Sequence, residues 1–208
     1  MQNLHKMLLA FFFLILFWSG FDNADYPTWA MEVAPGVLGV IILALTYKRF
    51  QFTNLVYISV LAHCTILFIG AKYTYAAVPP FDWIRDAFDL TRNNYDKVGH
   101  FAQGFFPAII IREVLIRLQV IKTRGWTNIV VVCICLAISA GYELIEWFAA
   151  ETIGEAAEAF LGTQGYAWDT QSDMLCALLG AFCMLLFLST MHDKAMQVKT
   201  DQPQRVLT

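Results

Sequence analysis

The chain predicts an all-α fold, a polytopic membrane helix bundle with about six transmembrane helices and short interfacial helices in the outer loops. Three observations carry this. Apolar residues make up 58% of the 208 positions and charged ones only 15%, against about a quarter charged in ordinary soluble domains. The apolar residues gather into runs that mostly approach the roughly 20 residues a helix needs to cross a bilayer. Lys and Arg cluster in alternate connections, as they do when short cytoplasmic loops retain positive charge.

The first run, Leu8 to Phe21, follows Lys6. Lys6 and the small residues Ser19, Gly20 and Ala24 would also fit a cleaved signal peptide, but no clear A-x-A site is present, so the run is read as a span. Trp29 to Tyr47 is the second span and Leu55 to Tyr75 the third, with Lys72, Tyr73 and Tyr75 as interfacial anchors. After the helix-breaking pair Pro79 and Pro80, the apolar residues Phe81, Ile84 and Phe88 recur at helical spacing, with Asp82, Arg85, Asp86 and Asp89 mostly elsewhere on the wheel. This is a short helix lying at the interface. Val98 to Leu118 is the fourth span, which Pro107 can bend, and Arg112 and Glu113 read as an anchor pair near its cytoplasmic end. Trp126 to Phe148 is the fifth.

The next connection has Ile153, Ala156, Ala157, Phe160 and Leu161 on one face and Glu151, Glu155 and Glu158 on another, a second interfacial helix. Gly162 and Gly165 then permit a tight turn before the sixth span, Met174 to Met191. Residues 1–191 form a single transmembrane domain, and 192–208 a polar cytoplasmic tail. Lys6, then Lys48 and Arg49, then Arg117, Lys122 and Arg124, then Lys194, Lys199 and Arg205 fall on one side, whereas Ala149 to Asp173 has no Lys or Arg, so both termini are expected in the cytoplasm. Arg85, Arg92 and Lys97 run against this pattern, partly offset by neighbouring acids.

Several function classes are excluded or unsupported. The five cysteines all lie within spans, which argues against a disulfide framework. A net charge of −3 without a basic cluster gives no reason for nucleic-acid binding. No P-loop, H-E-x-x-H, G-x-S-x-G or dinucleotide fingerprint is present.

What remains is a set of ionisable groups at one end of the spans. Ionisable side chains near hydrocarbon are costly and tend to face a bundle interior or wet cavity, so their convergence is a site hypothesis. Asp96, His100 and Gln103 share a face at about 100° per residue, beside Lys97. Tyr142, Glu143 and Glu146 form a second stripe, and Asp169 and Asp173 precede the last span. Glu143, Glu146, His100 and Asp173 are the candidate catalytic groups, because paired carboxylates with a histidine can exchange protons. Asp96, Lys97, Gln103, Tyr142 and Asp169 are the candidate ligand-binding groups. If a divalent metal is a cofactor, His100, Glu143 and Asp173 are its expected ligands. Each residue also has a plainer role: Asp173 lies three residues after Thr170 as in a capping box, His100 alone fits a satisfied core histidine, and Asp96 with Lys97 fits an interfacial pair.

The stretches Arg92-Asn-Asn-Tyr-Asp-Lys-Val-Gly-His-Phe-Ala-Gln-Gly, Tyr142-Glu-Leu-Ile-Glu-Trp, Phe160-Leu-Gly-Thr-Gln-Gly and Trp168-Asp-Thr-Gln-Ser-Asp-Met resemble the YjdF-type bacterial inner-membrane proteins over nearly the whole chain. The resemblance implies a multi-pass protein of the bacterial inner membrane and supplies no activity. A weaker likeness is to VanZ-like membrane proteins. Asp96, Lys97, His100 and Phe101 match their opening motif, and Glu143 or Glu146 could match a later acid. Their Asp–Asn–Gly pattern departs: aligning Asp173 keeps Gly180 but puts Ala177 at the Asn position, and aligning Asp169 puts Asp173 there and loses the Gly. That likeness implies contact with the cell envelope. The leading expectation is binding or modification of an envelope amphiphile, such as a lipid or lipid-linked precursor, at an outer-facing polar cavity within the lipid bilayer. The alternatives are a proton- or cation-coupled transporter and a membrane scaffold without catalysis.

Overall fold

A computed structural model describes residues 2–153 and 164–200, with side chains described over 2–152 and 164–197. The described residues form helices and connecting turns: α1 (Asn3–Gly20), α2 (Tyr26–Thr46), α3 (Asn54–Lys72), α4 (Pro79–Ala87), α5 (Tyr95–Arg117), α6 (Arg124–Ile153), α7 (Asp169–Phe187) and α8 (Ser189–Thr200). Among them, α1, α2, α3, α6 and α7 are long and apolar enough to cross a membrane. The remaining expected span is α5. Its 23 residues are long enough, but Asp96, Lys97, Arg112, Glu113 and Arg117 dilute its apolar character.

That polar helix is the centre of the bundle. It packs most extensively against α7 and also against α6 and α3, while α1 and α2 pack on the far side of α3. The α5–α7 contact is close because glycines face backbone: a Cβ at Gly104 would overlap the Ala177 carbonyl, and one at Gly180 would overlap the Phe101 carbonyl. Small residues permit this approach where lipid, as apolar as Leu, gives helices no hydrophobic drive to associate. The core beside it is built from Val56, Ala108, Ile109, Val131, Ala181 and Met184. Large apolar side chains such as Phe17, Leu45, Leu186 and Phe187 point outward, as a hydrocarbon solvent allows.

Local signals set the helix starts. Asp25 caps α2, its carboxylate accepting from the Thr28 N–H at 2.8 Å, and Pro27 occupies the first turn, where no donor is needed. Helix α4 is the expected interfacial helix, with Phe81 packed edge-on against Tyr95 and Trp83 and Phe88 exposed. The second interfacial helix, expected over Ile153 to Leu161, lies beyond Ile153 outside the described residues. The last span begins at Asp169, earlier than Met174, and yields at Leu188 to α8. His5 bonds Tyr47 and Asn54, Thr53 bonds Glu113, and Glu113 bonds His192, so both ends of the described chain lie at one end of the bundle.

Candidate functional site

At the other end of the bundle, the first turns of α5 and α7 face the last turns of α6. Lys97 reaches across from α5 and donates to Oδ1 of both Asp169 and Asp173, each at 2.6 Å. Arg92, just before α5, donates to the same Asp169 oxygen at 2.5 Å and to Asp96 Oδ2 at 3.4 Å. Asp169, Asp173, Asp96 and Arg92 are all buried. Two cations holding three carboxylates clamp α5 to α7, and none of these carboxylates is left without a partner. Asp173 thus pairs with Lys97, and α7 has no side-chain cap from its preceding residue.

His100 lies one turn further along α5, 6% exposed. Its Nε2 faces Asp96 Oδ1 at 3.3 Å and Asp173 Oδ1 at 3.9 Å. Its Nδ1 faces Gln103 Oε1 at 3.3 Å and Glu143 Oε1 at 3.7 Å. The expected metal set is altered here. Among the described residues, the group whose ligand atoms all lie within 4.8 Å of one another is Asp96, His100 and Asp173. Glu143 sits on the other side of the imidazole because α6 approaches α5 from that side.

A cavity of about 770 Å³ begins at this cluster. Asp96, His100, Gln103, Tyr142 and Glu146 contribute to its wall, as does Glu32. From there it runs between α2, α3, α5 and α6 past Leu43, Val60, Leu67, Ile110 and Ile138, reaching Thr46, Arg49 and Leu118 near the opposite end. Glu32 to Thr46 alone spans roughly 21 Å of helix. The lining is polar at its head and largely apolar along its length.

The structure thus brings every expected site residue to one end. Asp96, Lys97, His100, Glu143, Asp169 and Asp173 form the cluster, Gln103 orients the imidazole, and Tyr142 and Glu146 face the cavity. Two contributors were absent from the expected set. Glu32 is 5% exposed and accepts from the Tyr142 hydroxyl at 3.0 Å. It is the lone acid within the second span, which is itself the warning of an inward-facing group. Arg92 read only as a loop charge against the orientation pattern, and its burial depends on Asp169, which lies far away in sequence.

A second buried network occupies the opposite end, where Arg112 and Glu113 were expected only as anchors. Glu113, fully buried, accepts from the Thr53 N–H at 2.9 Å and hydroxyl at 2.7 Å, from Arg117 at 2.7 Å, and pairs with His192 Nε2 at 3.0 Å. Arg112 donates to Asp193 at 2.7 Å. These contacts dock α8 under α3 and α5.

Long apolar helices with outward-facing apolar side chains around buried ionisable groups mark a multi-pass membrane protein. Comparison with known proteins places it more narrowly. Residues 4–194 match the family described as "Predicted membrane protein (DUF2238)", and the chain belongs to this family. It is similar to "Inner membrane protein YjdF" of Escherichia coli (strain K12), 48% identical over 179 residues that cover 86% of each chain. No solved structure matches the chain.

Proposed function

We propose that this is a bacterial inner-membrane protein, with both termini in the cytoplasm, that binds or modifies an envelope amphiphile entering from the outer leaflet. The observation that carries the reading is the cavity's division into a polar head and an apolar shaft. A ligand's polar group would lie among Glu32, Asp96, His100, Tyr142 and Glu146, and its hydrocarbon along Leu43, Val60, Leu67 and Ile110. Pockets for small ligands share this composition, mostly apolar with a few convergent polar groups that fix orientation. In this reading Glu146, in the cavity wall, and Glu143, 3.7 Å behind the His100 ring, hold or exchange protons with a bound head group. The similarity to an inner-membrane protein supports the compartment, and the distribution of Lys and Arg supports the orientation.

A carrier is the second reading, favoured by the cavity's reach to Arg49 and Leu118 at the far end. One comparison separates the readings. Envelope lipids and lipid-linked precursors are profiled in a deletion strain complemented with wild type or Glu143→Gln at matched membrane abundance. Binding or modification predicts a species that changes with the intact carboxylate. Identical profiles at matched abundance would refute the role of Glu143, and loss of the variant from the membrane would instead favour a scaffold. A carrier adds proton or cation flux in proteoliposomes that Glu143→Gln abolishes.

A further inference from the structure

We propose that Asp96, His100 and Asp173 form a binding site for one divalent transition-metal ion of the zinc type. The donors are correct in kind, one imidazole and two carboxylates. They are also correct in spacing. A tetrahedral zinc with bonds of about 2.0–2.1 Å separates its ligand atoms by roughly 3.4 Å. His100 Nε2 stands 3.3 Å from Asp96 Oδ1 and 3.9 Å from Asp173 Oδ1. The three ligand atoms all lie within 4.8 Å of one another, so binding draws the two carboxylates inward onto the ion.

The other ring nitrogen fixes which electrons face this gap. Nδ1 meets two oxygens, those of Gln103 and Glu143, and neither the amide carbonyl nor the carboxylate can donate to it. Nδ1 therefore carries a hydrogen, and Nε2, which faces only carboxylate oxygens, holds there either a second proton or a cation. Three lone-pair donors converging on one point in a buried cluster repel unless a proton or a metal cation lies between them, and the metal is the occupant that all three can bind at once. A histidine that ligates metal through one nitrogen and gives its other N–H to a carboxylate or carbonyl has this arrangement.

An independent observation comes from Glu143. Its side chain is 7% exposed, and its Oε1, aimed at the imidazole, has no hydrogen-bond partner. A buried carboxylate oxygen left in this way is costly. A cation held through His100 polarises the Nδ1–H toward that oxygen and offsets its charge. The local balance agrees: with the ring neutral, the carboxylates of Asp96, Asp169, Asp173 and Glu143 exceed the fixed cations Arg92 and Lys97 by two charges. Lys97 takes one lone pair of Asp173 Oδ1, and the carboxylate retains others for the ion.

Three protein ligands leave a fourth coordination position, the mark of a zinc site that accepts water or a ligand rather than one that is purely structural. Because Asp96 and His100 also line the cavity, that position faces the place where a polar head would lie. The site stands whether or not the cavity's occupant is an amphiphile.

The test uses the full chain in detergent, stripped with a chelator and then titrated with zinc alone. About one zinc per chain is expected. His100→Ala and Asp173→Asn should each weaken binding by at least about tenfold, and His5→Gln, at the other end of the bundle, should leave it unchanged. X-ray absorption on the zinc-loaded wild type should show nitrogen and oxygen neighbours at about 2.0–2.1 Å with imidazole scattering. Binding far below one equivalent, or unchanged affinity in His100→Ala, would overturn the proposal. So would sulfur at about 2.3 Å, which would assign the ion to cysteines. The absorption measurement needs no variant, so a spectrum without imidazole scattering overturns the proposal even if a substitution prevents folding, and His192→Gln, which should leave binding unchanged, excludes the histidine at the other end of the bundle.

Discussion

Replacing Glu113 by Ala removes the acceptor on which α3, α5 and α8 converge. In the native protein this fully buried carboxylate takes the Thr53 N–H and hydroxyl, the Arg117 guanidinium and the His192 ring. The Ala variant takes from Arg117, whose side chain is 9% exposed, its carboxylate partner, leaving the Gln51 carbonyl and the Phe50 ring, and leaves the Thr53 amide and His192 Nε2 unpaired. Breaking a buried pair from one side costs about 3–5 kcal/mol, because the surviving charge stays buried without compensation. For a protein of this length each kcal/mol lowers the melting temperature by about 2–4 °C, so the expected fall is roughly 6–20 °C. The assay is thermal unfolding of purified wild type and variant in one detergent. Glu113→Gln should fall between the two, since its carbonyl can still accept from Thr53 while the charge pairing with Arg117 is lost. A fall of less than about 2 °C for Glu113→Ala would refute the claim that this network holds α8 and the start of α3.

Gly104→Leu should fail to accumulate in the membrane or should melt well below wild type, because its side chain would enter the Ala177 backbone; overpacking a close contact typically costs about 1–3 kcal/mol, and a backbone obstacle cannot turn aside. Normal abundance and melting would show that α5 and α7 are not as close as they stand here. His63→Phe should be neutral or stabilising by up to about 1 kcal/mol, since His63 already stacks on Phe106 at 5.5 Å and its buried Nε2 has no partner to lose. Thermal unfolding checks this. A stable His63→Phe protein that had lost ion flux would turn the weight toward the carrier reading.

The sequence by itself determined the class of protein, most helix positions and the end at which the polar groups gather. Hydrocarbon admits only backbone that satisfies its own hydrogen bonds, so length and apolarity locate spans directly. The same cost singles out inward-facing acids, which is why Glu143, Glu146, Asp169 and Asp173 were legible without a partner in sight. Helical periodicity placed Asp96, His100 and Gln103 on one face. It could not say what that face would meet. That Asp173 bonds Lys97, that Asp96 rather than Glu143 shares the imidazole's Nε2 side, and that Glu32 joins through Tyr142 were decided by how α2, α6 and α7 close around α5. Arg112 and Glu113 show the same limit: near a span's end they read as snorkelling anchors, until α8 folds back and buries them against His192 and Asp193. Periodicity is a property of one helix, whereas a hydrogen bond between helices depends on their separation and rotation, and these are set by contacts such as Gly104 on Ala177 between residues far apart in the chain.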